Sequence, residues 1–217
     1  MKRLRLEAKA DEQAGKIRQS FLDAFASLVF ILEAKSAYTS GHSQRVSRIA
    51  VGIANRLGMP QHNVEQIRMA GLLHDIGKVG VSETILTKQD QLTKEEFMHI
   101  ASHSTVGEQI LRPVVDDREI LKMVRHHHEH YDGTGYPDGL KARNIPIGAR
   151  ILAVADAYDA MTSARPYRKA MTVLLTSLEV KRHAKTQFDP AVVNAFIGTL
   201  QTVSKPTPPK QAVVIYS

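Results

Sequence analysis

A histidine and an aspartate stand side by side at the end of an apolar helical pattern, and this pair restricts the fold more than any other feature. The spacing of apolar residues predicts a helix from Val64 to Ile76, so His74 and Asp75 leave a segment that faces the core. A buried carboxylate is costly unless it has a partner. Imidazole nitrogen and carboxylate oxygen together suit Zn, Fe or Mn better than Mg or Ca. The alternative is structural: Asp75 caps the helix end, His74 is a buried histidine and Gly77 stops the helix.

Composition narrows the class of protein. The chain has 217 residues and no Cys, which favours one domain and leaves His, Asp, Glu or water to hold any metal. A chain without cysteine fits a reducing cytoplasm. The longest apolar stretch, from Ala24 to Leu32, is too short to span a bilayer, so we expect a soluble cytoplasmic protein with no membrane partner. The formal charge of +7 favours an anionic partner, but few aromatic residues and no Trp give nucleic-acid binding little support.

Helical spacing of apolar residues recurs along the chain, and the sequence holds neither an internal repeat nor a series of strands long enough for a sheet. The fold class is therefore predicted to be all-α. Residues 79–91 lack a clean period and are expected to form a loop, with Ile85 and Leu86 tucked inward.

A further helix is predicted where Thr93 and Glu96 have the spacing of a capping box. We expect Phe97 to face inward and a later turn of the same helix to carry His103. His99 stands four residues before His103, which suits a pair of metal ligands but equally suits a surface residue.

Three more stretches carry residues suited to chemistry. Asp156 follows five apolar residues of a predicted helix, with Asp159 one turn later, and a carboxylate there needs a partner or a metal. Residues 125–130 contain four histidines and precede residues 131–140, a loop with three Gly and one Pro whose backbone can approach a ligand closely. The cations of residues 165–169 indicate either a salt-bridge network or an anion clamp.

The candidate metal ligands come from several predicted helices: His42, His74, Asp75, His103, His127, His128 and Asp156. Seven nitrogen and oxygen ligands exceed what one ion needs when a position stays open for water, so two ions fit better. Asp75 is the natural bridging carboxylate, and a water between the two ions becomes a hydroxide able to attack phosphorus. A nearby lysine or arginine stabilises the developing charge, so the predicted substrate is a phosphoric ester.

Several motifs in order resemble the HD-GYP family, the cyclic di-GMP phosphodiesterase branch of the HD-domain metallohydrolases. The resemblance runs from about Tyr38 to Phe196. It is carried by these segments: His74–Asp75–Ile76–Gly77–Lys78, His127–His128–Glu129, Asp132–Gly133–Thr134–Gly135–Tyr136–Pro137, Ala155–Asp156–Ala157–Tyr158–Asp159 and Phe188–Asp189–Pro190.

The resemblance implies a five-helix HD core with additional helices, and a site with two divalent ions, Fe or Mn. The family's metal-ligand positions correspond to the seven candidate ligands, and Lys78 corresponds to the lysine that faces the scissile phosphate. Tyr136, Asp159, Arg165 and Arg168 correspond to positions that contact the substrate. The implied reaction converts cyclic di-GMP to pGpG and often on to GMP, with Asp75 and Lys78 as the catalytic residues.

Some positions depart from the family pattern. Ser36 stands where the family usually carries an acidic residue, and Tyr38 stands where relatives with three metals carry an extra Glu ligand, so two metals are expected. Ser82 replaces a common Pro, residues 89–90 replace the usual Pro-Gly, and Lys185 replaces a frequent Gly. These changes bear on the loop over the site rather than on metal binding.

Two other functions stay open at this point: a binding or adaptor module that does not hydrolyse its ligand, and a hydrolase for another nucleotide. We divide the chain into an N-terminal helix or linker (1–35), a catalytic domain (36–202) and a C-terminal tail (203–217). Diguanylate cyclases and other signalling proteins are expected partners, and the N-terminal helix is a candidate surface for a homodimer.

Overall fold

The protein was analysed as a computed structural model. It describes residues 24–31, 40–88, 90–164 and 169–203, together with residues 9, 13, 15, 20 and 33. Within these residues all regular secondary structure is helical, and the only β-type pairing is an isolated bridge between Ala184 and Phe188. The prediction of an all-α fold is confirmed. In the part of the chain described, no helix combines the length and apolar character needed to cross a membrane.

A helical stretch over residues 24–31 precedes the principal helices. These are α1 (His42–Arg56), α2 (Gln61–Leu73), α3 (Glu83–Leu86), α4 (Lys94–Ala101), α5 (His103–Leu111), α6 (Arg118–His126), α7 (Ile147–Thr162), α8 (Val173–Arg182) and α9 (Pro190–Val203). Two 3-10 helices, Ile76–Gly80 and Ala142–Asn144, follow α2 and precede α7 respectively.

Helix α1 is central to the packing, because α2, α7 and α9 all lie against it. On the other side of α2, helix α6 packs against α2, α5 and α7. Ile53, Ile67, Leu73, Leu152 and Phe196 are fully buried where these helices meet. Burying one such side chain contributes roughly 1.5–3 kcal/mol, so this interior holds the helix ends that carry the site in place.

The capping box that opens α4 is confirmed. The Thr93 hydroxyl accepts a hydrogen bond from the Glu96 N–H at 3.2 Å, and the Glu96 carboxylate accepts one from the Thr93 N–H at 2.8 Å. Asp189, which directly precedes Pro190 at the start of α9, likewise caps that helix, since its carboxylate accepts a hydrogen bond from the Ala191 N–H at 2.7 Å. Both caps are local interactions, which explains why the sequence pattern predicts them.

Four expectations about residues 79–103 were wrong. The stretch 79–91 was expected to form a loop, but it contains the end of a 3-10 helix and all of α3. Leu86 is 45% exposed and Phe97 is 47% exposed, because α3 and α4 lie at the surface and Ala101 is the only buried residue of the two helices. The helix that begins at Lys94 also ends at Ala101, so His103 starts α5 instead of continuing α4.

Several sequence calls fall outside the residues that the structure describes: Ser36, Tyr38, Gln89, Arg165, Arg168, residues 204–217 and most of residues 1–35.

Candidate metal centre

Five parts of the fold supply the seven predicted ligands. His42 begins α1 and His103 begins α5, while Asp156 lies within α7. His74 and Asp75 form the turn after α2, and residues 127–128 follow α6. The structure brings all of these side chains into one cluster, and helix ends account for most of them.

Gly77 allows the His–Asp turn to lie directly against α5. A β-carbon at this position would overlap the backbone carbonyl of His103 and would come within 2.5 Å of the Gly107 backbone nitrogen. Only glycine lets the two segments approach this closely, and the approach places Asp75 beside His103.

Three of the histidines share one hydrogen-bonding pattern. His74, His103 and His127 each place Nδ1 within 2.7–2.9 Å of the backbone carbonyl oxygen three residues earlier. Because a carbonyl oxygen can only accept, each Nδ1 carries a hydrogen, and Nε2 of a neutral ring is left with a lone pair. Such a bond is the usual way in which a metal-binding histidine is oriented.

The bare nitrogens point at one another. The Nε2 atoms of His103 and His127 lie 3.3 Å apart, and Nε2 of His74 is buried without a hydrogen-bond partner. Two lone pairs at this distance repel unless a cation or a proton lies between them. Ligand atoms bonded to one ion at about 2.1 Å lie about 3.0–3.5 Å apart, so the spacing fits a metal.

Asp75 lies between two groups of nitrogens. Its Oδ1 is 3.4 Å from Nε2 of His103, while its Oδ2 is 3.7 Å from Nε2 of His42 and 3.6 Å from Nε2 of His74. Oδ2 also accepts a hydrogen bond from the Lys78 ammonium at 2.6 Å. Burial opposes the charge, but Lys78 and the surrounding histidines hold the pKa of Asp75 well below its usual range.

The Asp75 side chain makes no capping hydrogen bond at the start of the 3-10 helix that follows it. The carboxylate points instead into the cluster of histidines.

Two triads can each hold an ion. In both, the ligand atoms lie within 4.8 Å of one another: His42 with His74 and Asp75, and His103 with His127 and His128. Asp156 adds a carboxylate on the side of the first triad, where its Oδ1 is 3.3 Å from Nε2 of His42. The donor set and its geometry therefore fit divalent metal ions bound by imidazole and carboxylate.

His42 is held by side chains behind it. Its Nδ1 lies 2.7 Å from the buried carboxylate of Asp159, which also accepts hydrogen bonds from Arg45 at 2.6 and 3.1 Å. Burial lowers the pKa of His42, but the hydrogen bonds with Asp156 and Asp159 outweigh it and raise the pKa to about 10. In the metal-free protein this histidine is an imidazolium at neutral pH.

The three histidines of the second triad have lowered pKa values, in contrast to the raised pKa of His42. Burial lowers the pKa of His103, lowers the pKa of His127 strongly and lowers the pKa of His128 to about 3. These three rings are neutral at pH 7 and are ready to coordinate a metal without losing a proton.

The glycine-rich loop over residues 131–140 covers the second triad. The ring of Tyr136 packs on that of His128, with centroids 4.9 Å apart and planes 30° apart. Burial raises the pKa of Tyr136, so its phenol stays neutral and can donate a hydrogen bond. The buried carboxylate of Glu129 fixes the loop by accepting hydrogen bonds from the Asp138 and Leu140 N–H groups at 2.8 and 3.0 Å.

Other predicted site residues differ in their placement. Lys78 is partly exposed beside Asp75. Asp159 lies behind His42, and the contact of Asp159 with substrate stays a prediction. His99 is exposed and lies outside both triads, with Nε2 3.2 Å from the Gly80 carbonyl oxygen.

The sequence reasoning assigned no role to Arg45 or Glu129. Arg45 stands one helical turn after His42, and Glu129 directly follows the histidine pair. Position next to a candidate ligand was the available signal for both residues.

An all-α fold with clustered histidine and aspartate ligands defines a helical metal-binding domain. Residues 27–192 match the HD domain family, and the chain belongs to this family. The predicted HD-type helical bundle and the resemblance to HD-GYP proteins are confirmed by this match and by the relatives below.

Two curated relatives illustrate the similarity. A cyclic di-GMP phosphodiesterase of Thermotoga maritima is 36% identical over 196 residues, which cover 88% of this chain and 53% of the relative. The 3'3'-cGAMP-specific phosphodiesterase 3 of Vibrio cholerae is 39% identical over 160 residues, which cover 74% of this chain and 35% of the relative. The chain thus spans about half the length of the first relative and about a third of the second.

Two solved structures share the fold. One is a cyclic GMP-AMP specific phosphodiesterase of Vibrio cholerae (TM-score 0.64, 18% identity, covering 85% of this chain and 49% of that chain). The other is the HDG"Y"P protein Bd1817 of Bdellovibrio bacteriovorus (TM-score 0.64, 18% identity, covering 85% of this chain and 63% of that chain).

Proposed function

We propose that the chain is a metal-dependent phosphodiesterase that hydrolyses cyclic di-GMP to pGpG, to GMP or to both. The observation that carries the proposal is the position of Asp75 between two groups of imidazole Nε2 atoms, with the Lys78 ammonium on the same carboxylate. The names of the relatives from Thermotoga maritima and Vibrio cholerae support the class of substrate.

In this proposal two divalent ions, Fe or Mn, would be held at the cluster, and Asp75 would be a ligand available to both. His42, His74 and Asp156 complete one set of ligands, and the second triad forms the other. Bound ions of this kind supply Lewis acidity, which lowers the pKa of water and neutralises phosphate charge.

Lys78 is the side chain proposed to act on the substrate phosphate. It is 35% exposed, so its ammonium can reach both Asp75 and a phosphate oxygen in front of the cluster. A cation there stabilises the negative charge that develops on phosphorus oxygens during attack. The neutral phenol of Tyr136 is a second donor, and Asp159, Arg165 and Arg168 complete the proposed contacts with substrate.

Hydrolysis by protein purified without oxygen and supplied with Fe(II) or Mn(II) tests this function. We expect chromatography to show pGpG or GMP from cyclic di-GMP, and we expect the Asp75→Ala variant to lose both metal and activity. Lys78→Ala should keep the metal and lose about 100- to 1,000-fold in kcat. His62→Ala is the matched control, because His62 is an exposed histidine at the start of α2 and lies outside both triads. About two bound ions per chain with no product from wild-type protein contradicts the proposal.

A second candidate substrate is 3'3'-cGAMP, because the relative specific for it is 39% identical to this chain. Competition between the two cyclic dinucleotides, measured as the ratio of kcat/KM values, separates the candidates. Binding of either compound without hydrolysis would favour the adaptor alternative. Contact with a diguanylate cyclase and a homodimer through the N-terminal helix stay predictions.

A further inference from the structure

Three aromatic rings form a row from the metal centre to the surface. The ring of His128 packs on Tyr136 with centroids 4.9 Å apart, and Tyr136 meets the ring of Phe97 at 5.9 Å with planes 86° apart. Phe97 stands at the outer end of the row and is 47% exposed. The row therefore links a metal-binding histidine to an apolar ring in solvent.

A single exposed phenylalanine needs no explanation by itself. Phe97 differs because it is held against Tyr136, which belongs to the loop that covers the metal centre. The next residue, Met98, is 59% exposed on the same helix, and adjacent helical residues point about 100° apart. The side chain of Phe97 thus lies on the side of the metal centre, and the side chain of Met98 is turned away from it.

The helix that carries Phe97 is also attached to the segment that carries Lys78. The His99 ring, on the same helix, lies 3.2 Å from the Gly80 carbonyl oxygen. Val79, the residue after Lys78, is 57% exposed. Apolar side chains with a few placed polar groups are the usual lining of a site for a small molecule.

We propose that Phe97 is a stacking platform for a nucleobase of the bound cyclic dinucleotide. This inference rests on the proposed function, because it needs a phosphodiester at the metal centre. The base of a nucleotide lies beyond its phosphate by one ribose, so a base extends outward from the cluster toward the exposed end of the row. The near-perpendicular contact with Tyr136 leaves at least one face of Phe97 clear of that ring.

The platform is expected to accept guanine and adenine alike, because stacking on an aromatic face depends little on the identity of the base. We therefore expect Phe97 to raise affinity for cyclic di-GMP and 3'3'-cGAMP together rather than to discriminate between them.

Kinetics provides the first test. Phe97→Leu removes the ring and keeps an apolar side chain, so we expect KM for cyclic di-GMP to rise about ten-fold while kcat changes less than about two-fold. Phe97→Trp restores the ring and should restore KM, and Met98→Leu should leave both constants unchanged. A KM for Phe97→Leu equal to that of wild-type protein overturns the inference.

Fluorescence provides a test that does not depend on hydrolysis. The chain contains no Trp, so Phe97→Trp places a single indole at the platform and Met98→Trp places one beside it. In metal-loaded protein mixed rapidly with cyclic di-GMP, we expect saturable quenching before turnover at position 97 and little at position 98. Equal quenching at both positions, or none at 97, overturns the inference. Absence of product from wild-type protein counts against the proposed function, whereas quenching confined to position 97 still supports the platform.

Discussion

Among the candidate ligands, His42 is the histidine whose pKa the surrounding side chains raise. Asp159 and Arg45 fix its Nδ1 side, and Asp156 and Asp75 lie on its Nε2 side. Three carboxylates around one imidazole favour its charged form, which raises the pKa to about 10 in the metal-free protein. In the proposed site a metal ion bound at Nε2 would take the place of that proton.

We expect metal binding at pH 7–8 to release a proton from His42. Because the folded pKa is raised, the stabilising effect of the protonated ring is complete below about pH 6.5 and is lost as the pH rises through about 10. Metal affinity should increase over the same interval. Calorimetry in two buffers of different ionisation enthalpy measures the released proton.

The Asp159→Asn variant separates the proton released by His42 from any protons released by the other histidines. It should release less proton at pH 8 and bind metal about 10- to 100-fold more weakly, because the oriented partner of His42 is lost. His62→Ala, at an exposed histidine outside both triads, should match wild-type protein in both measurements. Heats that are identical in the two buffers would contradict the expectation.

Lys185 adopts a backbone conformation that favours glycine. Its φ is +77°, in the turn that precedes α9, and its N–H donates to the Phe188 carbonyl at 2.9 Å. The left-handed region costs a residue with a β-carbon about 1–2 kcal/mol, part of which glycine loses again through chain entropy. We expect Lys185→Gly to raise the free energy of unfolding by about 0.5–1 kcal/mol.

Urea denaturation of Lys185→Gly beside Lys185→Ala checks this prediction. Alanine removes the long side chain but keeps the β-carbon, so Lys185→Ala should remain close to wild-type stability. Equal gains in the two variants would assign the effect to the lysine side chain and not to the backbone.

At the scale of elements, the loop over residues 131–140 depends on one buried carboxylate. Glu129 accepts two backbone hydrogen bonds from the far side of the loop, while Tyr136 at its centre packs on His128. The exposed side of the loop is held separately, since Asp138 pairs with Arg125 at 2.8 Å. The loop therefore has a defined position over the second triad.

We expect Glu129→Gln to destabilise the protein by about 1–2 kcal/mol, because the amide N–H₂ then faces a part-buried backbone N–H that has lost its acceptor. Metal content should stay normal, while kcat/KM falls as Tyr136 loses its fixed position. Thermal unfolding, metal analysis and kinetics measure the three effects. Glu119→Gln, at an exposed position in α6, is the control, and a normal kcat/KM in Glu129→Gln would contradict the proposed role.

At the scale of the whole molecule, the metal centre joins parts of the fold that are distant in sequence. Its ligands come from α1, the turn after α2, the start of α5, the end of α6 and the middle of α7. Without metal, the lone pairs of His103 and His127 face each other in the interior. The centre is therefore both a proposed reaction site and a cross-link.

Removing the metal should lower the melting temperature of the whole domain. At a free-metal concentration about 100 times Kd, binding stabilises by about 2.7 kcal/mol. For a chain of this size that corresponds to about 5–10 °C in Tm. Calorimetry of chelator-treated and Mn(II)-loaded protein measures the shift, and Asp75→Ala should show none. A shift that persists in Asp75→Ala would place the stabilising ion elsewhere.

Several features could be predicted from the sequence because they depend on residues that are close together in the chain. The Thr93–Glu96 capping box and the Asp189 cap need only residues two or three positions apart. The all-α class follows from apolar spacing. The candidate ligands followed partly from buried polar residues, such as Asp75 and Asp156, and partly from the family resemblance.

The tertiary structure decided what those residues do together. Phe97 was expected to be buried, because helical spacing indicates a face without indicating what packs against it. Its ring meets Tyr136 and is 47% exposed. Arg45 and Glu129 acquire their roles from partners 114 and 9–11 residues away. By itself the sequence determined the helices, the caps and the kinds of ligand, because these depend on neighbours along the chain. The convergence of Nε2 atoms on the two oxygens of Asp75 arose only from packing, because those distances are set by helices far apart in sequence.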